Sequence, residues 1–500
     1  MTPSGPSSVE PLTTAARKAD HIRINVEENV SGKGITTGFE RYRFTHEALP
    51  EIDLDDVSTA TNLFGRDLQA PLLISCMTGG VPEAEQINCT LAEAAQERGL
   101  ALGLGSARIL LESPQVLPSF AVRRYAPDVP LLANLGAVQL NKGVTVEDCR
   151  RIVDLLEADA LVLHLNPLQE ALQLEGDTNF GGLLKRIEAL CADLDVPVVA
   201  KEIGWGINRD LVRKLFDAGV AAVDVAGAGG TSWSEVERHR LGSPVRAAIA
   251  AAFADWGIPT ADLIRDARRV APSGTLFASG GIRNGVEVAK ALALGADMVG
   301  VAGPFLRAAV AGRRRVLDLA DELVGALKMA MFLTGSTDLP ALRLGNRIID
   351  ATGPRPEIVR GALHYTSSRA PDFIDITDDI QDMVRGAGIQ EGLVHIASTH
   401  TTAAIRVNEN EPLLIEDFSR LLERLAPNGH YHHNELERRK GIAPDEPQNG
   451  HAHCRHLLLG HSETVTIQGG RLDLGVWQRI FLIELDSPRS RQVKVQVMGR

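Results

Sequence analysis

The chain has 500 residues, 44% of them hydrophobic, and on length alone it predicts two to four packed domains. A net charge of −12 and only 4% aromatic residues exclude nucleic acid as the main partner, since that role needs clustered Lys and Arg or stacking rings. Five scattered cysteines, Cys76, Cys89, Cys149, Cys191 and Cys454, exclude a disulfide framework and point to a reducing, cytoplasmic compartment.

Up to about Thr14 the chain is rich in Ser, Pro and Thr without an apolar run. It reads as a loose tail rather than a signal peptide, and no later stretch approaches a membrane span. Eight short apolar, β-branched runs then recur at 71–75, 100–105, 130–135, 160–165, 197–201, 220–225, 275–279 and 296–301. Helical stretches with one apolar stripe lie between them, for example 84–98, 146–156 and 285–294. This alternation predicts an α/β fold, a (β/α)₈ TIM barrel. A doubly wound sheet is the competitor. Against it, no Gly-x-Gly-x-x-Gly follows the first run, and every run ends in polar or glycine-rich residues, as a barrel with one active face requires.

Those ends carry the candidate chemistry. Met77-Thr78-Gly79-Gly80 follows the first run, Ser106-Ala107-Arg108 the second, and Asn134 ends the third. The fourth end crowds His164, Asn166, Gln169 and Glu170 together, where packing needs only Leu and Val. An imidazole, two amides and a carboxylate suit a polar, metal-bridged ligand. The plain alternative is an ordinary helix start, with Asn166 as cap and Pro167 in the first turn. Lys201 ends the fifth run and is expected either to face an anionic or electron-rich ring at the barrel mouth or simply to reach solvent. A Gly227-Ala-Gly-Gly-Thr231 loop follows the sixth run. After the seventh and eighth come Gly280-Gly281-Ile282-Arg283 and Ala302-Gly303, where this fold commonly builds a phosphate cradle.

In order, Arg17-Lys18-x-x-His21, Met77-Thr78-Gly79-Gly80, Gly105-Ser106-x-Arg108, Asn134-Leu-Gly136, His164-x-Asn166-x-x-Gln169-Glu170, Lys201-Glu202-x-Gly204, Gly229-Gly230-Thr231-Ser232-Trp233 and Ser279-Gly280-Gly281-Ile282-Arg283 form one set. Over roughly residues 17–349 that set resembles the FMN-dependent, type 2 isopentenyl-diphosphate isomerases. The resemblance implies interconversion of isopentenyl and dimethylallyl diphosphate by proton transfer at reduced FMN, with NAD(P)H as reductant, Mg²⁺, and a homo-oligomeric, soluble enzyme. It implies that Arg17, Lys18, His21, Ser106, Arg108, His164 and Asn166 contact substrate. Gln169 would lie over the isoprenoid, and Glu170 would hold Mg²⁺. Met77, Thr78, Gly79, Ser106, Asn134, Lys201, Thr231, Gly280, Gly281, Arg283, Ala302 and Gly303 would hold FMN, with Gln169, His164 and Lys201 as the catalytic candidates. Ala107 departs from the family, which often has Gln or Met there, but it leaves the flanking phosphate ligands unchanged. The enzymatic rival is an FMN-dependent oxidoreductase of a 2-hydroxy acid with a carboxy-terminal assembly or binding module. It needs a catalytic His and an Arg in a late-barrel loop, and neither stands there.

After the barrel, 1–350, residues 351–356 read as a linker and the composition shifts: ten of fourteen histidines lie from His364 onward. Strands at 358–365, 393–398, near Val465, at 480–485 and at 493–497, with helices at 378–385 and 413–425, predict a smaller α+β domain over 358–500. His400, Glu409, His451 and His453 could form a metal or phosphate site there; a solvated His-rich loop, as at His430-Tyr-His432-His433, is equally compatible. With Gly475-x-Trp477-Gln478 and Asp486-Ser-Pro488-Arg489-x-Arg491, these segments resemble the YjbQ-like family of small trimeric proteins, for which a secondary thiamine-phosphate synthase activity is suggested. Gly450 and Ser487 depart from its usual residues.

Overall fold

Eight parallel strands pair in sequence order, and the last pairs with the first to close a barrel: Leu72–Ile74, Ala101–Gly103, Leu131–Gly136, Ala160–Leu165, Val198–Glu202, Ala222–Asp224, Thr275–Ala278 and Met298–Val301. All eight runs singled out in the sequence supply one strand each. They are legible because strands covered on both faces, by helices outside and barrel filling inside, must be apolar throughout. The computed structural model describes residues 14–344, 347–351, 357–441 and 446–500. The Ser/Pro/Thr-rich start and most of the 351–356 linker lie outside these. Two units emerge, Met1–Ala351 and Thr352–Arg500. Among the described residues no helix is long and apolar enough to cross a membrane, and all five cysteines are free thiols.

The barrel filling changes character along its axis. Leu73, Ala101, Leu132, Val162, Val199, Ala222, Phe277 and Met298 pack in one apolar cluster, joined by Leu63 and Leu68 of a hairpin formed by Thr61–Leu63 and Arg66–Leu68. Side chains alternate along a strand, so the next inward position lies two residues on. Those positions hold Ser75, Gly103, Asn134, His164, Lys201, Asp224, Ser279 and Gly300. The apolar filling thus ends one layer below the carboxyl ends, and the layer that follows it is polar or glycine. The helix Thr14–Glu27 packs against the helices Trp233–Arg240 and Gly303–Ala311 at that mouth. Its Ile24 is buried with Val30 and Val236.

The second unit has two antiparallel sheets. One runs in the order Glu357–Thr366, Ser490–Gly499, Glu391–Ser398, Ser462–Gln468, Arg471–Leu472; the other is Asp372–Asp375, Gln478–Glu484, Ala403–Glu409. Ile380, Val394, Ile396, Ile405, Leu482 and Val495 lie in its core. Three of these strands, Asp372–Asp375, Ala403–Glu409 and Arg471–Leu472, are not evident in the sequence, because the first is short and acidic at both ends, the second opens on small alanines and the third has two residues. Glu409 ends that second strand, and His451 and His453 ride on the first turn of a helix, Gly450–Leu459.

Candidate active site

A cavity of about 720 Å³ opens above the polar layer, and every barrel residue expected to contact substrate, flavin or Mg²⁺ lines it. It runs from Arg17, Lys18 and His21 on the amino-terminal helix, past Asn134, His164, Gln169 and Lys201, to Gly280, Gly281, Ala302 and Gly303. One pole is cationic. Lys18 donates to the carbonyls of Gly79 at 2.7 Å and Ser106 at 2.9 Å, with Arg17 and Arg108 nearby. Burial, then the charges of Arg17 and Arg108, bring its ammonium down to about 7. Positive charge so crowded that one member yields its proton near neutrality is arranged for an anion, and two guanidinium forks with a lysine suit phosphate oxygens.

The other pole is a backbone cradle. Gly280 has φ +103°, and a Cβ there would sit 2.0 Å from the carbonyl oxygen of Gly227. The helix Gly303–Ala311 starts beside it with no side-chain cap, so its first N–H groups and positive dipole end stay available to an anion. Arg283 and Arg307 also line this end.

Between the poles stands the His164 to Glu170 segment. Its helix, Pro167–Leu172, does begin with Pro at the first turn, but Asn166 makes no capping bond. Instead its Nδ2 donates to Gln169 Oε1 at 3.0 Å and to Glu170 Oε1 at 2.8 Å, while its buried Oδ1 has no partner among the described residues. The plain capped start therefore does not describe this turn. Glu170 Oε2 accepts from the backbone N–H of Asp177 at 2.6 Å, which orients the carboxylate. His164 Nδ1 lies 2.7 Å from Asn134 Oδ1. Burial, then Lys201 and Lys18, pull the imidazole down to about 3, so it is neutral and serves as a hydrogen-bonding group rather than an acid. Lys201 donates to the carbonyl of Glu202 at 2.6 Å and lines the cavity rather than simply reaching solvent.

A family model described as FMN-dependent dehydrogenase matches residues 167–347. The isopentenyl-diphosphate delta-isomerase of Nostoc sp. is 52% identical over 338 residues, covering 68% of this chain and 97% of that protein. The enzyme of the same name from Rickettsia bellii is 48% identical over 327 residues, covering 65% of this chain and 95% of its own. The chain belongs to the isopentenyl-diphosphate delta-isomerase family. Its second unit carries a further domain: a model described as UPF0047 protein YjbQ-like matches residues 362–500. A solved YbjQ-like protein of unknown function from Sulfolobus solfataricus is 30% identical, covers 29% of this chain and 100% of its own, and aligns with a TM-score of 0.27.

The isomerase cavity holds one group that sequence reasoning passed over. Glu237, 1% exposed, accepts from Gln169 Nε2 at 3.0 Å, Gln173 Nε2 at 2.6 Å and Arg240 Nη1 at 2.5 Å, and faces His21 Nε2 at 3.0 Å. Burial alone raises its carboxyl, but His21 and Arg240 outweigh that and hold it below the usual carboxylate range. Its helix, Trp233–Arg240, has only Trp233 and Val236 as apolar residues among six polar ones, too short a stripe to mark Glu237 as turned inward. The available signal was its place directly after the glycine-rich loop of the sixth barrel strand.

In the second unit the candidates stay apart from any metal cage. Among the described residues no group of three or more His, Cys, Asp or Glu side chains is placed to hold a metal ion. His400 Nε2 accepts from the backbone N–H of Gln492 at 3.0 Å, and His453 packs on His433 with ring centres 4.6 Å apart. The buried Nδ1 of His451 has no partner among the described residues.

Proposed function

We propose that the barrel interconverts isopentenyl and dimethylallyl diphosphate in the cytoplasm, using FMN reduced by NAD(P)H and one Mg²⁺, with the YjbQ-like domain as an auxiliary module of a homo-oligomer. The observation that carries this is the single cavity joining a cationic pole and a glycine cradle past Gln169, whose amide an ionised Glu237 holds from behind. Its volume of about 720 Å³ suits a flavin and a five-carbon tail together. The cradle at Gly280, Gly281, Ala302 and Gly303 fits the FMN phosphate, since a Cβ at either of the first two would strike the backbone of the Gly227–Gly229 loop. Met77, Thr78, Gly79, Ser106, Asn134, Thr231 and Arg283 would complete its walls.

The reaction moves a double bond by one position: a proton adds to the terminal methylene carbon, and another leaves the carbon beside the diphosphate-bearing one. Bound and reduced, FMN supplies an N5 that can carry a proton next to an electron-rich ring. Lys201, from the polar layer, sets a positive charge against that ring. Arg17, Lys18, Ser106 and Arg108 grip the diphosphate, and His21, His164 and Asn166 offer further polar contacts. Glu170 fits Mg²⁺ as a lone protein ligand, since this ion keeps waters and phosphate oxygens for the rest of its shell. Gln169, held between Asn166 and Glu237, fixes the tail's approach, and the ionised Glu237 keeps its amide in place.

Holoenzyme carrying Gln169→Ala or Glu170→Ala should keep its FMN absorbance and lose turnover. Loss of flavin in either would contradict the roles assigned to them.

A further inference from the structure

Asp224 takes no part in the scheme above, yet it is 1% exposed and sits inside the barrel directly under the cavity. Its Oδ1 accepts from the Ser279 hydroxyl at 2.7 Å and from the backbone N–H groups of Ser279 and Ala226, each at 3.2 Å. Its Oδ2 has no hydrogen-bond partner among the described residues, nor has the buried hydroxyl of Ser75. Both approach one point: a Cβ on Gly300 would lie 2.5 Å from Ser75 Oγ and 3.8 Å from Asp224 Oδ2. Ser75, Ser279 and Gly300 line the cavity floor.

A carboxyl at full burial persists only with compensation. Neutral donors serve one oxygen. The cation available to the rest is Lys201, the register partner of Asp224 on the neighbouring strand and likewise an inward position. Burial drives the Asp224 carboxyl upward, and Lys201 acts against it. The other titratable neighbours on the floor are His164, the register partner of Lys201, which burial and then the lysines keep neutral, and Cys76, whose thiol burial pushes up to about 11, so neither adds a charge.

We propose that Asp224 is a positioning residue that acts through Lys201: it partly offsets the lysine's charge and so sets how strongly the barrel floor favours negative charge on a reduced flavin. This rests on the reading of the cavity as an FMN site. The offset has a chemical purpose. A ring that must give and take a proton without net redox change is ill served by a cation that locks its reduced form as the anion. Lys201 favours that anion, and Asp224 moderates the preference.

The test compares FMN-loaded wild type, Asp224→Asn and, as a neutral change on the same floor, Ser75→Ala. Asp224→Asn should move the two-electron midpoint potential positive and lower the pH at which reduced flavin loses its N1 proton by about one unit, with Ser75→Ala unshifted. An Asp224→Asn holoenzyme with unchanged potential and N1 titration overturns the proposal. Wild type that binds no FMN overturns it together with the cavity reading, which separates the two failures. A second measurement covers an Asp224→Asn protein that does not fold. In Lys201→Met the carboxyl loses its cation, so the pH at which infrared spectra show its protonated form should rise above that of wild type. An unchanged Asp224 titration in Lys201→Met overturns the pairing.

Discussion

The Nε2 of Gln169 donates to Oε1 of Glu237 at 3.0 Å, which ties the strand-four segment to a carboxylate 68 residues further along the chain. Gln173 and His21 converge on that same oxygen. A buried carboxylate kept ionised by a guanidinium is too weak a base to take protons from the cavity, and what it does is fix the amide of Gln169.

Glu237→Gln keeps the size of the side chain and removes its charge. Turnover of isopentenyl diphosphate should fall by up to about 10²-fold, the usual cost of misplacing an active-site group, here the Gln169 amide, with FMN content unchanged by absorbance. An equal loss of flavin would mean that Glu237 supports the fold rather than the chemistry.

Asn166 orients Glu170 from behind, through the 2.8 Å bond to Oε1. Partners of this kind typically carry a 10–100-fold effect, so Asn166→Ala should raise the Mg²⁺ concentration for half-maximal rate by about that factor. The Mg²⁺ titration of the variant decides this.

Lys18 titrates at about 7 in the free protein, pulled down by burial and then by Arg17 and Arg108. An incoming diphosphate reverses the charge balance and raises that value. The sign follows: above about pH 7 the free lysine is largely neutral, so binding takes up close to one proton, whereas near pH 5 it takes up none at this site. Calorimetry in buffers of different ionisation enthalpy reads the uptake. Lys18→Gln should abolish it and raise KM.

In the second unit Arg491 and Glu484 form a buried pair, 4% and 0% exposed as side chains, with Arg491 Nη2 donating to Glu484 Oε1 at 2.6 Å and to Thr402 Oγ1 at 2.9 Å. Arg491→Leu leaves a buried carboxylate uncompensated. A loss of about 3–5 kcal/mol is expected in the unfolding transition that near-ultraviolet circular dichroism assigns to this unit in the full chain.

The barrel was legible because each of its strands is buried on both faces and must spell itself in Leu, Val and Ala. The functional strand ends were legible for the opposite reason: His164, Asn166 and Lys201 interrupt runs that packing alone would have continued. Glu237 gave no such contrast. It lies in a helix of charged residues, Trp-Ser-Glu-Val-Glu-Arg-His-Arg, where one more Glu looks like surface. Asp224 was hidden differently, as a single acid inside Ala-Val-Asp-Val-Ala whose inward direction depends on a register that only the closed barrel supplies. The second unit's histidines left two readings open in the sequence, since spacing along the chain carries no information about whether a strand end, a loop and a helix start converge.

The most direct measurement uses the full chain loaded with FMN, reduced anaerobically, and given isopentenyl diphosphate with Mg²⁺. Dimethylallyl diphosphate is the expected product, formed only while the flavin is reduced and lost on chelation of Mg²⁺. No product under those conditions, or equal product from FMN-free protein, would contradict the assignment of this cavity.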